Sequence, residues 1–190
     1  MDIKKSCYNN ENLSFILKSV GVVRNNNHEP FLVAGDDGIE MKEQHEDNMK
    51  RVRQIHEEIS EIILDKNLID ILEGIEEYSH LIILYWAHKV PEQSRSLTKV
   101  HPMGRECFSK VGIFATCSPA RPNPILMTVV RLCGIKGNVL EVKGLDAIDG
   151  SPVVDIKPFL RKFCPEEEVS IPSWMKHIQK EYDENTFRNP

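Results

Sequence analysis

The stretch GIFATCSPARPNPILMTVVRL, residues 112–132, separates two strand-like apolar runs by nine residues that contain three prolines and no glycine. A hairpin connection normally has about two to five residues, with glycine, asparagine or aspartate at the turn. Proline fixes its own φ and moves the preceding residue out of the α region. Ser118, Arg121 and Asn123 each precede a proline, so the pattern predicts a stiff, extended loop that presents polar side chains. It predicts a preorganised ligand site or, alternatively, a rigid crossover in which Arg121 caps a strand end.

The sequence after this loop predicts further antiparallel strands. Lys136-Gly137-Asn138 is a turn signal between two alternating runs, and Asp149-Gly150 is a second one. Strict alternation in VVDIKPF would place Val153, Asp155 and Lys157 on one face, with Val154 and Ile156 on the other.

Two readings of the acidic residues in this region stay open. Asp155 and Lys157 would form either a weak ion pair at the sheet surface or part of a functional site. In the functional reading, Asp146, Asp149 and Asp155 line a pocket with Arg121 and Asn123.

These motifs resemble those of the TrmO family, also called TsaA-like or YaeB-type. The resemblance runs from about Val111 to Phe159, and extends loosely to SVGVVRNN and GIEEYSHLIILYWAHK earlier in the chain. It implies a mainly β fold, a small antiparallel β-barrel, with S-adenosylmethionine as cofactor and methyltransferase activity in a homodimer. Two positions depart from the usual family pattern, because Cys117 replaces an arginine and Ala120 replaces a histidine.

The resemblance also implies which residues contact the methyl donor and which act on the acceptor. By position, the expected donor contacts are Asn27, His28, Glu29, His88, Lys89, Phe114, Cys117, Ser118, Met127, Leu145, Asp146, Ala147 and Ile148. The candidate catalytic residues are Arg121, Asn123, Asp155 and Lys157. His88 also fits a plainer role, since a histidine at a strand end is often a hydrogen-bonded structural residue.

The 190 residues fit a single TsaA-like domain, residues 1–190, with a core at about 14–163. Residues 45–66 show apolar positions at three- and four-residue spacing, which predicts an inserted amphipathic helix with Glu57, Glu58 and Glu61 on its solvated face. Residues 172–184 predict a C-terminal helix with Trp174, Ile178 and Tyr182 on one stripe. The period-two pattern of residues 80–88 predicts a strand that is buried on both sides.

Composition excludes several classes of protein. No apolar run reaches the ~18 residues of a membrane span and the N-terminus has no signal-peptide core, so a cytoplasmic protein is expected. Five scattered cysteines without C-x-x-C indicate neither a disulfide framework nor a zinc site, and no metal is expected. The net charge is −5, yet residues 101–162 carry nine Lys or Arg against five Asp or Glu. This mildly basic half is compatible with an anionic substrate.

The sequence lacks G-x-G-x-x-G and a phosphate-binding P-loop, so barrel loops would have to bind the donor. The family's activity leads to the principal hypothesis, N6-methylation of threonylcarbamoyladenosine beside the anticodon of tRNA. A methyltransferase with a small-molecule acceptor is the first alternative, and a non-catalytic, donor-binding dimeric module is the second.

Overall fold

The computed structural model describes residues 16–30, 32–35, 38–41 and 54–187. Ten strands lie in these ranges: β1 (Gly21–Arg24), β2 (Leu32–Gly35), β3 (Gly38–Met41), β4 (Ile59–Leu64), β5 (His80–Trp86), β6 (Lys99–Val100), β7 (Val111–Gly112), β8 (Ile125–Lys136), β9 (Val139–Lys143) and β10 (Pro152–Pro158). Six strands close an antiparallel barrel in the order β1-β10-β5-β8-β9-β4, and β2-β3 and β6-β7 form two small hairpins. The predicted mainly β, small-barrel class is confirmed.

The barrel interior is filled by the inward-facing residues that alternate along the barrel strands. Leu81, Ile83 and Tyr85 of β5 are buried, while His80 is exposed and the other outward side chains are partly exposed. The predicted alternation in β5 is therefore confirmed, but its burial on both sides is wrong. Only the inner face of the closed barrel lies in the core, as in other small barrels filled by side chains.

The prediction of a helix over residues 45–66 is wrong at its C-terminal end. Residues 54–57 are helical, but residues 59–64 form β4, which pairs with β1 and β9 and closes the barrel. In ISEIIL, Ile59 precedes Ile62 and Ile63 by three and four residues, whereas Ile62 and Leu64 are two apart, so the period was ambiguous. Ser60, Ile62 and Leu64 are buried, which makes β4 part of the core and not of an insertion. The predicted part of the helix before Gln54 lies outside the described residues.

A β-bulge changes the expected faces of β10. The register against β5 shifts between Val153 and Asp155, so Val153 lies opposite Tyr85 and points into the core, as does Ile156 opposite Ile83. Asp155 and Lys157 lie on the outer face of the barrel. The expectation that Val153 shares their face is wrong because the bulge inserts one residue into the alternation.

The C-terminal helix runs from Ser173 to Phe187, close to the predicted 172–184. Ile178 is buried and Trp174 and Tyr182 are half-buried, so the predicted stripe packs inward. The helix is tied to the loop before β7 by an ion pair of 2.6 Å between Arg105 and Glu181. That region has its own small core, formed by Val100, Ile113 and Ala120.

Gly21 provides a direct test of barrel packing. A Cβ at Gly21 would lie 2.5 Å from the backbone oxygen of Ile63, whereas one at Gly112 would meet nothing within 4 Å. Gly21→Ala should therefore lower the free energy of unfolding by about 1–3 kcal/mol, because β1 must move away from β4. Denaturant unfolding measures this loss, and Gly112→Ala serves as the control. Equal stability of the two variants would contradict the packing described here.

Candidate functional site

Three segments that are distant in sequence meet at one end of the barrel. The backbone N–H of Asn25 donates to Oδ1 of Asp149 (3.0 Å), and its side-chain amide donates to Ala147 O (3.0 Å) and to Ser60 Oγ (3.1 Å). The amide of Asn27 donates to Ala147 O (3.3 Å) and Asp146 O (3.4 Å). The chain after β1 is thereby fastened to the chain before β10.

Local backbone chemistry explains why the chain turns here. Short asparagine side chains bond to nearby backbone groups, and Oδ1 of Asn25 accepts the N–H of Asn27 at 3.0 Å. On the other segment Gly150 has φ +78°, which glycine adopts without strain. Its N–H donates to Val23 O (2.9 Å), and the N–H of Asp149 donates to Asn27 O (2.7 Å). Both segments are therefore held rigidly against each other.

The third segment follows β5. His88 Nδ1 lies 3.3 Å from the hydroxyl of Ser151, and the Lys89 ammonium donates to the backbone oxygen of His28. His28 Nδ1 in turn lies 3.7 Å from the Asp149 carboxylate. The predicted donor contacts 27–28, 88–89 and 146–147 are therefore brought together. Asp149, which was predicted to line a pocket but not to contact the donor, lies with them.

The electrostatic surroundings keep His88 neutral. Partial burial lowers the pKa of His88, the neighbouring Lys89 ammonium lowers it further, and the Asp149 carboxylate acts in the opposite direction. A neutral imidazole at neutral pH carries one donor and one acceptor nitrogen.

Asp146 is oriented by two hydroxyl groups from the barrel wall. Tyr85 donates to Oδ1 of Asp146 at 2.8 Å, and Thr128 donates to the same oxygen. Burial, and then the Asp146 charge, raise the pKa of Tyr85, so the phenol stays protonated and remains a donor. Leu145 and Ala147 are buried, so their side chains belong to the core. A ligand here would meet the Asp146 carboxylate and the backbone of this segment.

The proline-rich loop adjoins this end of the barrel. Pro124 is buried and its carbonyl accepts the N–H of Ala87 at 2.8 Å, next to His88 in the chain. Phe114 is 77% exposed, and the guanidinium of Arg121 lies 5.7 Å from its ring centre. The run before the loop is not the strand expected up to Phe114, because β7 ends at Gly112 and residues 113–115 form a short 3-10 helix. β7 pairs with β6, so the loop is a crossover from a small hairpin into the barrel.

Some predicted site residues lie elsewhere. Asp155 and Lys157 form an ion pair of 2.6 Å on the outer face, each about half exposed. Met127 is 62% exposed on the same face and, like Asp155, lies opposite Leu84 in the sheet. Cys117 and Ser118 belong to a cavity beside the C-terminal helix. Roles for these residues, and for Glu29, Arg121, Asn123 and Ile148, stay predictions.

Asn25 was missed by the sequence analysis, although it makes three of the bonds that hold the site together. The run of three asparagines after β1 was the available signal, because such residues commonly fasten turns. Among the described residues, no group of three or more His, Cys, Asp or Glu side chains is arranged to hold a metal ion. No helix in the described ranges is long and apolar enough to cross a membrane.

The fold and the site together assign this chain to the small antiparallel β-barrel proteins that have a polar, hydrogen-bonded site at one end of the barrel. Residues 41–164 match the family described as the tRNA-methyltransferase O N-terminal domain. This match covers more than half of the chain, so the chain belongs to the TrmO family.

Relatives agree with this assignment. An S-adenosyl-L-methionine-binding protein of Archaeoglobus fulgidus is 38% identical over 151 residues, 80% of this chain and 91% of the relative. The Escherichia coli protein named tRNA (adenine(37)-N6)-methyltransferase is 35% identical over 77% of this chain, which spans 58% of that enzyme. A crystal structure of TrmO from Pseudomonas aeruginosa aligns with a TM-score of 0.60 at 23% identity, over 86% of this chain and 63% of that chain, and shows the shared fold.

The charges around His88 can be tested by histidine titration. Lys89→Gln removes a repelling cation and should raise the pKa of His88, whereas Asp149→Asn removes an attracting anion and should lower it further. NMR titration of the imidazole measures both shifts. Because the pKa is lowered in the folded state, His88 should stabilise the fold above its ordinary pKa and lose that contribution as pH falls. Lys66→Gln is the control, and shifts of the same sign in both test variants would contradict the described site.

Proposed function

We propose that the chain is an S-adenosylmethionine-dependent methyltransferase that N6-methylates threonylcarbamoyladenosine beside the anticodon of tRNA. The observation that carries the proposal is the meeting of 27–28, 88–89 and 146–149 at one end of the barrel in a chain of the TrmO family. A tRNA acceptor is consistent with a cytoplasmic protein. The same site also suits an enzyme of this scaffold with another acceptor, so the acceptor is tested separately below.

The chemistry of the site fits the donor. S-adenosylmethionine carries its methyl group on a positively charged sulfonium, and when the methyl group is transferred the rest of the molecule leaves as a neutral thioether, S-adenosylhomocysteine. Asp146 and Asp149 place two carboxylates at the barrel end, which suits a cationic ligand. Oδ1 of Asp146 takes both hydroxyl bonds, so Oδ2 remains available among the described contacts.

The chain's own residues orient the reactants. Methyl transfer requires in-line geometry, and a rigid site lowers the cost of reaching it. The paired asparagines, the turn at Gly150 and the Lys89 contact to His28 supply that rigidity. Arg121 and Asn123 on the stiff loop are assigned to the acceptor, because the loop adjoins the end of β5.

The two departures from the family pattern favour a second candidate, a small-molecule acceptor. A thiol at position 117 carries no permanent positive charge, so the cation that an arginine would supply is missing there. Arg105 is paired with Glu181, and Lys136 with Glu141, so neither is an unpaired cation for a polyanion.

If tRNA is the acceptor, its phosphates must bind to other cations. The candidates are four exposed residues, Lys110, Arg131, Arg161 and Lys162. Binding of tRNA should then weaken steeply with salt.

Methyl transfer distinguishes the candidates. The protein is incubated with methyl-labelled S-adenosylmethionine and either bulk tRNA or a small-metabolite extract. We expect label in tRNA, on N6 of the modified adenosine. Lys89→Ala should reduce the rate at least roughly tenfold because the segment after β5 loses its tether to His28. The matched control is the exposed Lys66→Ala.

Each other outcome of this assay has a defined meaning. Label in a metabolite alone would replace the tRNA proposal by the small-molecule acceptor. Binding of S-adenosylhomocysteine by calorimetry without turnover would leave a donor-binding module. Absence of both binding and transfer would contradict the proposed function.

We also propose a homodimer, supported by an exposed apolar face on the barrel. Met127 and Val129 of β8 are 62% and 40% exposed, and they lie beside the partly exposed Leu84 and Ile82 of β5. A two-fold interface here would bury this face and would bring Met127 into a shared site.

If the exposed face of β8 forms the dimer interface, a charge placed in it should halve the mass of the protein in solution. Val129→Lys places a charge in the proposed interface and should give a monomer by light scattering. Val169→Lys, at a position 62% exposed outside the strands, should leave the dimer intact. A wild-type protein that is monomeric and active would remove the dimer from the account.

A further inference from the structure

A cavity lies between the C-terminal helix and the proline-rich loop, and it is separate from the site at the barrel end. Its volume is about 140 Å³, and its walls come from residues 100–103, residues 116–118 and the helix residues Trp174, Met175 and Ile178. Cys117 lines the cavity and is exposed, so solvent reaches it from the loop side. None of the contacts of the barrel-end site involves it.

The residues that line the cavity favour a ligand without charge. None of the lining residues is Lys, Arg, Asp or Glu, and Trp174, Met103 and Met175 are among them. Burying a charge here would be unfavourable because no opposite charge is in the lining. A flat, polarisable ring suits an indole and two thioethers.

The few polar groups are already ordered. Oγ1 of Thr116 donates to Ile113 O (2.9 Å) and accepts the N–H of Ser118 (3.2 Å). His101 Nδ1 lies 2.7 Å from the carbonyl oxygen of Phe108, and because a carbonyl only accepts, Nδ1 is the donor. A ring in the cavity would therefore meet polar groups that hydrogen bonds within the protein already hold in place.

The size and setting of the cavity narrow the ligand further. A protein cavity of about 150 Å³ holds one benzene molecule, so this cavity takes a single ring system. Lys99 and Lys176 are exposed and are the chain neighbours of the wall residues Val100 and Met175. A neutral ring inside and cations outside are the arrangement that single-stranded nucleic acid requires.

The C-terminal helix is held firmly enough to act as a wall. Arg105 and Glu181 are paired at 2.6 Å, with the Arg105 side chain only 13% exposed. The rings of Phe108 and His177 meet edge to face at 5.9 Å. A preformed wall lowers the entropy lost on binding.

We propose that this cavity holds an unpaired nucleobase of the RNA acceptor, stacked against Trp174. This inference rests on the proposed function, because it assumes an RNA acceptor. It gives the C-terminal helix a direct role in acceptor binding, separate from the barrel end that binds the donor.

The fluorescence of Trp174 should show whether the cavity is occupied. The chain has two tryptophans, so Trp86→Phe leaves Trp174 as the single indole fluorophore. A synthetic RNA stem-loop with an unpaired loop should quench its fluorescence saturably, and a fully paired RNA of equal length should not. S-adenosylhomocysteine should leave Trp174 unchanged while it binds by calorimetry. Quenching by S-adenosylhomocysteine instead would assign the cavity to the donor's adenine and overturn the inference.

Substitutions at Trp174 and Met175 test whether RNA affinity depends on a base stacked in the cavity. Trp174→Ala should weaken binding of a labelled stem-loop roughly 5- to 100-fold, the range found for loss of a stacked aromatic, and Trp174→Phe should retain most of the affinity. Met175→Trp should fill the cavity and weaken binding similarly. Gln179→Trp, exposed one turn further along the helix, is the matched control.

The outcomes distinguish this inference from the proposed function. Methylation of tRNA with unchanged stem-loop affinity in Trp174→Ala and Met175→Trp would overturn the inference alone. Absence of stem-loop binding would overturn it as well, whereas loss of S-adenosylhomocysteine binding in the unaltered protein would contradict the proposed function. Circular dichroism confirms that each variant remains folded.

Discussion

The hydrogen bonds from Asn25 and Asn27 to residues 146–149 are the interaction on which the rest of the site depends. They join positions separated by about 120 residues, at the end of the barrel where β1 pairs with β10. Buried or partly buried amides that satisfy several backbone groups are costly to lose, since each unsatisfied group costs roughly 1–3 kcal/mol. The same bonds that complete the fold therefore also set the geometry in which His88, Lys89 and Asp149 meet.

Local signals in the sequence predicted much of the architecture. The turn at Gly137, the period-two pattern of β5 and the stripe of the C-terminal helix all depend on nearby residues, and each appears in the structure. The wrong assignments concern features decided by distant partners. β4 is a strand because β1 and β9 flank it, and the β10 bulge is defined by its register against β5.

The site was predictable only in part, again because some of its contacts join residues that are distant in the sequence. Resemblance to a family identified 27–29, 88–89 and 145–148 as donor contacts, and the structure brings 27–28, 88–89 and 146–147 together, with Asp149 beside them. The role of Asn25 depends on contacts to Ser60 and Ala147 that no local pattern reveals. The outward position of Asp155 follows from a bulge, which strict alternation does not contain.

The two departures from the family pattern lie in one structural region. Ala120 is buried with Val100 and Ile113, and Cys117 lines the cavity against Trp174 and Met175. A histidine at position 120 would need more room in that small core than alanine does. Neither residue takes part in the hydrogen bonds that join Asn25 and Asn27 to residues 146–149.

The central claim, that the barrel end binds the donor, is tested most directly by a crystal structure with S-adenosylhomocysteine. The account predicts the ligand against residues 27–29, 88–89 and 145–148, with the Asp146 carboxylate still bonded to Tyr85 and Thr128. Ligand bound in the cavity beside Trp174, or on the outer face beside Asp155 and Lys157, with the barrel end unoccupied, would contradict it.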